Sequence, residues 1–319
     1  MAFSLLGVNP VAATPQQPAP KRHSRTKPKQ KPVPQPATLV GAGDIADCGE
    51  LGGAEITAKL IESIPGTVFA AGDLAYEHGS AREFADCYGK TWGRFKDRTR
   101  PALGNHEYGS WKAAPYFAYW GQAAGPVDAG YYSYDLGAWH IIVLNTNCSE
   151  PRLGGCFPGS PQEHWLRQDL AAHPAACTLA YGHYALFSSG IFSRHALHPE
   201  LRPLWQALYE AHAELILAGH EHSYERFAPQ DPLGNPDPAN GIREIVVGTG
   251  GGSHTPLGSA IANSELRNTN TFGVLKLTLG ASSYSWEFIP EPGESFRDSG
   301  SAICHPRAAG PVEKKPAKP

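Results

Sequence analysis

The chain has 319 residues and a formal net charge of −3, with 41% hydrophobic and 10% aromatic residues. That composition excludes a wholly disordered chain, and no apolar run approaches the roughly 20 residues needed to span a bilayer. The charge is uneven. Residues 1–37 carry six Lys/Arg and no acid, residues 307–319 carry four basic residues and one acid, and the stretch between holds 17 basic and 29 acidic residues. A core at −12 argues against a nucleic-acid-binding surface, which is broadly basic. An anionic ligand in that core needs positive charge from something other than Lys and Arg.

In chain order, Met1–Ala13 is mildly apolar and ends in small residues, like the hydrophobic region and cleavage site of a secretory signal. It lacks a basic start and is interrupted by Pro10, so it reads as a truncated signal peptide, with a plain disordered start as the alternative. Thr14–Pro36 is rich in Pro, Lys and Gln and is expected to be an extended linker. Its basic run reads as a solvated tether; contact with envelope polyanions is the sharper alternative. Strand-like runs follow at Thr38–Gly43, Thr67–Ala71, Arg100–Leu103, His140–Asn145, Thr178–Gly182, Ala213–Ala218 and Arg243–Gly248. Helices are expected at Gly53–Ser63, at Pro161–Ala172 with Pro at its first position, and at Pro199–His212. Thr271–Leu279 and Ser282–Ile289 alternate like a hairpin around Gly280–Ala281. Strands alternating with helices give an α/β fold with later antiparallel strands on one side. We expect one catalytic domain at 38–305, a linker region at 1–37 and a disordered tail at 306–319.

The six cysteines avoid C-x-x-C spacing, so a zinc clip is not indicated, and an even number suits disulfides in an oxidising compartment. Cys148 and Cys156 flank a Pro/Gly-rich loop and make the best pair. Cys48 with Cys87 is the next, on neighbouring strand-end loops, and Cys177 with Cys304 remains by subtraction. Fifteen connectivities are possible, and free buried thiols are the alternative. With the signal-like start, disulfides favour a secreted or periplasmic protein.

Five strand ends concentrate the chemistry: Gly43-Asp44, Gly72-Asp73-Leu74-Ala75-Tyr76, Gly104-Asn105-His106-Glu107, Tyr181-Gly182-His183 and Gly219-His220-Glu221-His222. Taken singly, each has an ordinary explanation, since Asp after Gly is a common turn residue and a lone His is usually structural. Five together at the ends of strands, where α/β sheets bind ligands, point to a site. Carboxylate, imidazole, amide and phenol donors without Cys favour Fe, Mn or Zn. Six or seven donors fit two ions sharing a carboxylate better than one ion with open positions.

These five segments, in this order, resemble the calcineurin-like metallophosphoesterases and, within them, the purple acid phosphatases. Asp44-Ile45-Ala46 lacks the His of the Asp-x-His motif common in the wider family, and Tyr76 stands three residues after Asp73 as in the purple acid phosphatase motif. Gly219-His220-Glu221-His222 resembles the last motif of the plant-type and bacterial branch. The resemblance implies a single-domain sandwich of mixed sheets flanked by helices. It also implies Asp44, Tyr76 and His222 on a first metal, Asn105, His183 and His220 on a second, and Asp73 bridging them. Two metal ions follow, Fe(III) with Fe(II), Zn(II) or Mn(II). His106 would face the substrate as a hydrogen-bond donor or general acid, and His195, favoured over His198, would be a further substrate-facing histidine. Ala46 stands where the family usually has Gly, a methyl that would crowd the first metal.

The implied reaction is hydrolysis of a small phosphorylated substrate, by in-line attack of a metal-bound hydroxide, with no phospho-enzyme. A phosphomonoesterase is the leading reading. The alternatives are a phosphodiesterase acting on nucleotides or phospholipid head groups and a non-catalytic phosphate- or metal-binding protein; a protein phosphatase has no acidic or regulatory insert to support it. Tyr108 and Trp111 read equally as an aromatic rim or as core. Gly248–Gly252 lacks a Walker lysine and reads as a turn lining the same cleft.

Overall fold

The computed structural model describes residues 1–2, 35–191 and 198–306. Among them, fifteen strands run β1 (Ala37–Ala42), β2 (Ala46–Asp47), β3 (Thr67–Ala71), β4 (Ala75–Tyr76) and β5 (Thr99–Ala102). They continue with β6 (Tyr132–Leu136), β7 (Trp139–Val143), β8 (Cys177–Tyr181), β9 (Leu215–Ala218) and β10 (Tyr224–Phe227). The series ends with β11 (Arg243–Val247), β12 (Ser264–Asn268), β13 (Gly273–Leu279), β14 (Ser283–Pro290) and β15 (Asp298–Ile303). One mixed sheet has the order β15-β14-β13-β1-β3-β5, a second has β12-β10-β11-β9-β8-β7-β6, and β2 pairs with β4. In the first, β1, β3 and β5 are parallel; in the second, β7, β8, β9 and β11 are parallel. Both sheets carry antiparallel strands beyond their parallel centres.

Alternation along the central strands explains the layering. On β7, Ile141 and Val143 join the large core that also holds Val40, Phe69 and Leu275 of the first sheet. Ile142 faces the other way, into a second core with Leu166 of the helix Pro161–Ala172 and Leu204 and Leu208 of the helix Arg202–Glu210. β9 divides in the same way, Leu215 and Leu217 against Ile216 and Ala218. A strand buried on both faces reads as a continuous apolar run, which is why these strands were visible in the sequence. Phe69 of β3 meets Tyr181 of β8 with ring centroids 5.7 Å apart, and the Tyr181 hydroxyl donates to the Arg100 carbonyl at 2.9 Å. The two sheets therefore pack on each other, with their carboxyl ends converging: Gly43 N–H donates to the Val247 carbonyl at 2.9 Å.

All seven expected strands, the three expected helical regions and the hairpin are present, with ends differing by one or a few residues. The strands that the sequence did not show are β6, β10, β12, β15 and the two-residue pair β2–β4. β6, β12 and β15 lie at sheet edges, and their half-exposed, polar residues carry little apolar patterning.

The cysteines form three disulfides: Cys48–Cys87, Cys148–Cys156 and Cys177–Cys304, closing loops of 39, 8 and 127 residues. Chain entropy in the unfolded state scales with the loop closed. Paired Cys→Ser replacement is therefore expected to cost about 5 kcal/mol at Cys177–Cys304 and about 2.5 kcal/mol at Cys148–Cys156. Urea unfolding of the two double variants measures the difference, and the reverse order would contradict it.

Candidate metal centre

Each donor sits where a strand ends and the chain turns. Asp44 follows β1, Asp73 follows β3, Asn105 comes after β5, His183 after β8 and His220 after β9. Asp44, Asp73 and His220 have φ of 61°, 51° and 70°, a left-handed backbone that non-glycine residues seldom adopt. The turns leave no room for larger neighbours. A Cβ on Gly104 would lie 2.1 Å from Asp73 Oδ1, and one on Gly219 would lie 2.6 Å from Asp44 Oδ2.

The seven predicted ligands converge in two groups. The Tyr76 hydroxyl lies 3.0 Å from Asp44 Oδ1 and 3.0 Å from His222 Nε2, and His222 Nε2 is 3.4 Å from Asp44 Oδ1. Asn105 Oδ1 lies 3.0 Å from His183 Nε2 and 3.1 Å from His220 Nδ1. One atom reaches both groups. Asp73 Oδ2 is 3.4 Å from the Tyr76 hydroxyl and 3.1 Å from His183 Nε2. The other oxygen, Oδ1, accepts the His106 backbone N–H at 2.9 Å.

The histidines are turned by their second nitrogens. His183 Nδ1 donates to the Ala71 carbonyl at 2.9 Å, and His222 Nδ1 donates to the Ser253 carbonyl. Their Nε2 atoms are thereby aimed at the carboxylates, the arrangement that fixes a metal-binding tautomer. Burial, with His183 beside it, pushes His220 down to about 3, so its imidazole stays neutral and offers a lone pair. Burial opposes charge on His183, yet the Asp73 carboxylate raises it to about 9. Burial pushes the Tyr76 phenol well above its ordinary value, and Asp44 and Asp73 add to the shift. Without a cation, Tyr76 is a phenol.

The chemistry of these side chains tests whether two ions fit. The Tyr76 hydroxyl stands among Asp44 Oδ1, Asp73 Oδ2 and His222 Nε2, and Asp73 Oδ2 also faces His183 Nε2. Two buried carboxylates with imidazole, amide and phenol donors drawn onto them make a donor set that a cation can occupy. The donors are oxygen and nitrogen throughout, and among the described residues no Lys or Arg lines the cleft beside them. That cleft, of about 340 Å³, is lined by Asp47, Asp73, Tyr76, Asn105, His106, His220 and His222, together with Gly252 and Ser253. The glycine turn thus borders the cleft as expected. Ala46 lies in the β2–β4 ladder and does not line the cleft.

His106 is a quarter exposed, with Nδ1 2.7 Å from the Glu77 carbonyl and Nε2 3.8 Å from Asp73 Oδ2. His195 lies outside the described residues. His198, which the sequence ranked below it, packs its ring 4.3 Å from Tyr184 and 6.1 Å from His220. Its buried Nε2 has no hydrogen-bond partner among the described residues. Tyr108 and Trp111 line a separate groove with Lys112 and Arg152, and Trp111 is 80% exposed.

One residue of the third motif was given no role from sequence. Glu107 is fully buried and accepts the backbone N–H groups of Asp73, Leu74 and Gly104 at 3.0, 2.8 and 2.7 Å. Burial and the Asp73 charge push its carboxyl up to about 7. It clamps the loop bearing Asp73 to the loop bearing Asn105. An acid next to the Gly-Asn-His turn was the available sign, but two of its three partners, Asp73 and Leu74, are more than 30 residues away.

The sequence model of the calcineurin-like phosphoesterases matches residues 27–224. This chain belongs to that family. Its relatives include purple acid phosphatase 18 of Arabidopsis thaliana, 26% identical over 73% of this chain and 53% of that protein. Purple acid phosphatase 15 of the same plant is 25% identical over 64% of this chain and 43% of that protein. The chain spans about half the length of the curated relatives it matches. The fold is shared with a purple acid phosphatase from yellow lupin seeds, at 19% identity and a TM-score of 0.68, over 85% of this chain and 54% of that one. It is shared also with GAP50, the anchor in the inner membrane complex of Plasmodium, at 14% identity and a TM-score of 0.63, over 86% of this chain and 90% of that one. The family implies two metal ions, and the converging donors fit that number.

Glu107→Gln keeps the size of the side chain but turns one acceptor into a donor facing backbone N–H groups. It is expected to weaken metal retention about 10- to 100-fold with an unchanged far-UV circular dichroism spectrum. Metal content after dialysis against a chelator is the measurement, and wild-type retention would show that the clamp is not needed.

Proposed function

We propose that this chain is a purple acid phosphatase-like phosphomonoesterase with a binuclear metal centre, and that residues 38–305 are its catalytic domain. The observation that carries the reading is Asp73 Oδ2, which lies within 3.4 Å of a donor in each group and can bridge two ions. Asp44, Tyr76 and His222 would hold the first, and Asn105, His183 and His220 the second. A phenol ligand favours Fe(III) in the first site, with Fe(II), Zn(II) or Mn(II) in the second. Two such ions supply positive charge for a phosphate and make a water nucleophilic near neutral pH.

The protein's own groups then have separate tasks. Asp73 sets the spacing of the ions, and Glu107 sets the position of Asp73. His106, whose Nδ1 is engaged by the Glu77 carbonyl, presents Nε2 to the cleft, where its protonated form can donate to a leaving oxygen. His198, whose ring lies 4.3 Å from Tyr184 and 6.1 Å from His220, is a further histidine beside the second group. The small open cleft suits a phosphorylated small molecule, and among its described lining residues there is no Lys or Arg, so the ions would carry much of the charge recognition. The disulfides support a secreted or periplasmic setting. Among the described residues, no helix is long and apolar enough to cross a membrane.

Metal analysis and hydrolysis of two chromogenic esters test the reading. Protein from iron-, zinc- and manganese-replete medium is expected to hold two ions per chain that Asp73→Asn loses, and to cleave p-nitrophenyl phosphate faster than its bis ester. Faster cleavage of the bis ester would assign a phosphodiesterase, and no cleavage of either a non-catalytic protein. Asp73→Asn is expected to lose activity by more than about 100-fold together with bound metal. If the first ion is ferric, the native protein absorbs in the visible, and Tyr76→Phe removes that band. A coloured variant would show that Tyr76 is not the ligand.

A further inference from the structure

A second group of donors converges on the other end of the second sheet. His140, near the start of β7, is 1% exposed. Asp135 faces it across the β6–β7 ladder, with Oδ1 2.8 Å from His140 Nδ1. Asp169 reaches it from the helix Pro161–Ala172, with Oδ2 2.7 Å from His140 Nε2. His173 stands one helical turn after Asp169, with Nδ1 3.3 Å from Asp169 Oδ1 and its ring stacked on His140 at 4.7 Å. The Ser133 hydroxyl also donates to Asp169 Oδ1, at 2.8 Å. One ligand atom from each of His140, Asp169 and His173 lies within 4.8 Å of the other two.

We propose that His140, Asp169 and His173 form a further metal site, separate from the catalytic cleft, that binds one Zn²⁺ ion. Two imidazoles and a carboxylate are a zinc donor set, and the i, i+4 spacing places Asp169 and His173 on one face of their helix. Asp135 holds Nδ1 of His140, so Nε2 is the ring atom turned to Asp169. This is the carboxylate–histidine–zinc relay that orients a ligand. Charge agrees as well. An imidazolium leaves two carboxylates with a single positive charge, whereas a divalent ion balances Asp135 and Asp169 together.

The geometry requires a small opening. Zinc bonds of about 2.0–2.1 Å hold tetrahedral ligand atoms about 3.4 Å apart. His173 Nδ1 stands 3.3 Å from Asp169 Oδ1 and His140 Nε2 2.7 Å from Asp169 Oδ2, so the carboxylate must turn to offer one oxygen to the ion and His140 must part from it by a little over half an ångström. The ion would take the place of the proton that now joins them. His173 is 46% exposed, and its Nδ1, now 3.0 Å from the Asp169 backbone carbonyl, would exchange that contact for the ion. A groove of about 320 Å³ lined by Asp135, Trp139, His173 and Pro174 gives solvent access and room for a water as the fourth ligand.

The test uses the intact protein, Zn²⁺ alone as probe, and variants remote from the cleft. After equilibration with micromolar Zn²⁺, wild type is expected to hold one zinc more per chain than His173→Ala, with equal activity on p-nitrophenyl phosphate. Asp135→Asn, on the exposed edge strand, is expected to weaken that extra zinc about tenfold. The same difference should persist when each variant is combined with Asp73→Asn, which separates this site from the catalytic centre. Equal zinc content in wild type and both variants overturns the proposal.

Discussion

The structure is organised around a buried concentration of ligand-type side chains. Asp44, Asp73, Tyr76 and His222 gather at one point, and Asn105, His183 and His220 crowd a second point about the same carboxylate. Packing alone would not gather so many polar groups, since burying each costs free energy unless it is partnered. Their closeness is held by the backbone. Three of the seven donors stand in left-handed turns at strand ends, and Glu107 ties two of the donor loops together through main-chain hydrogen bonds. Gly43 and Gly250 join the two sheets at the same end, Gly250 N–H donating to the Gly43 carbonyl at 2.9 Å. The sandwich thus supplies the rigidity that keeps mutually unfavourable groups in place for cations.

The same concentration of acids bears on the charge of the chain: the stretch between the basic termini stands at −12, and among the described residues no Lys or Arg lines the cleft. On the proposed reading, cations would reverse that sign locally, at the point where the acids are most densely placed. Anion affinity would then be conditional on metal loading, unlike phosphate sites built on arginine or on a helix terminus. It also explains the need for neutral imidazoles. Burial keeps His220 unprotonated, and carbonyl partners fix the tautomers of His183 and His222.

How much of this was legible in the sequence depended on how local each feature is. The donor segments were readable because a glycine turn and a short polar side chain sit side by side at the end of an apolar run. The central strands were readable because both faces are buried, so Ile141, Ile142 and Val143 stand consecutively. The edge strands were not: Ser264–Asn268 alternates between half-buried and exposed residues and carries one leucine in five. Glu107 lay inside a recognised motif, yet its work is done on Asp73 and Leu74, contacts that only the parallel pairing of β3 and β5 creates. His195 was favoured over His198 on the resemblance and lies outside the described residues; the nearness of His198 to His220 comes from the fold, its ring 6.1 Å from that of His220. The cysteine pairs were recoverable because two of them join neighbours of motifs or flank one short loop; Cys177–Cys304 emerged only by exhaustion.

The group at His140 shows the limit most clearly, because its members are 29 and 33 residues apart in sequence and carry no shared motif. β7 begins there and runs parallel to β8, which ends just before His183, so the two clusters lie toward opposite ends of the second sheet's central strands. The upper cluster has its donors on turns, strained and facing an open cleft, as a reactive centre requires. The lower one has Asp135 and His140 on paired strands and Asp169 within a helix, in ordinary backbone conformations. Asp135 belongs to β6, which has a ladder partner on one side only, and Asp169 belongs to the helix packed over the sheet. An ion between them would fasten the sheet's edge to its covering layer, close to where Cys177–Cys304 already ties the start of β8 to the end of the described chain. The chemistry of the two clusters is similar, but backbone strain at one and its absence at the other assign them different work: turnover above, and restraint of the fold below.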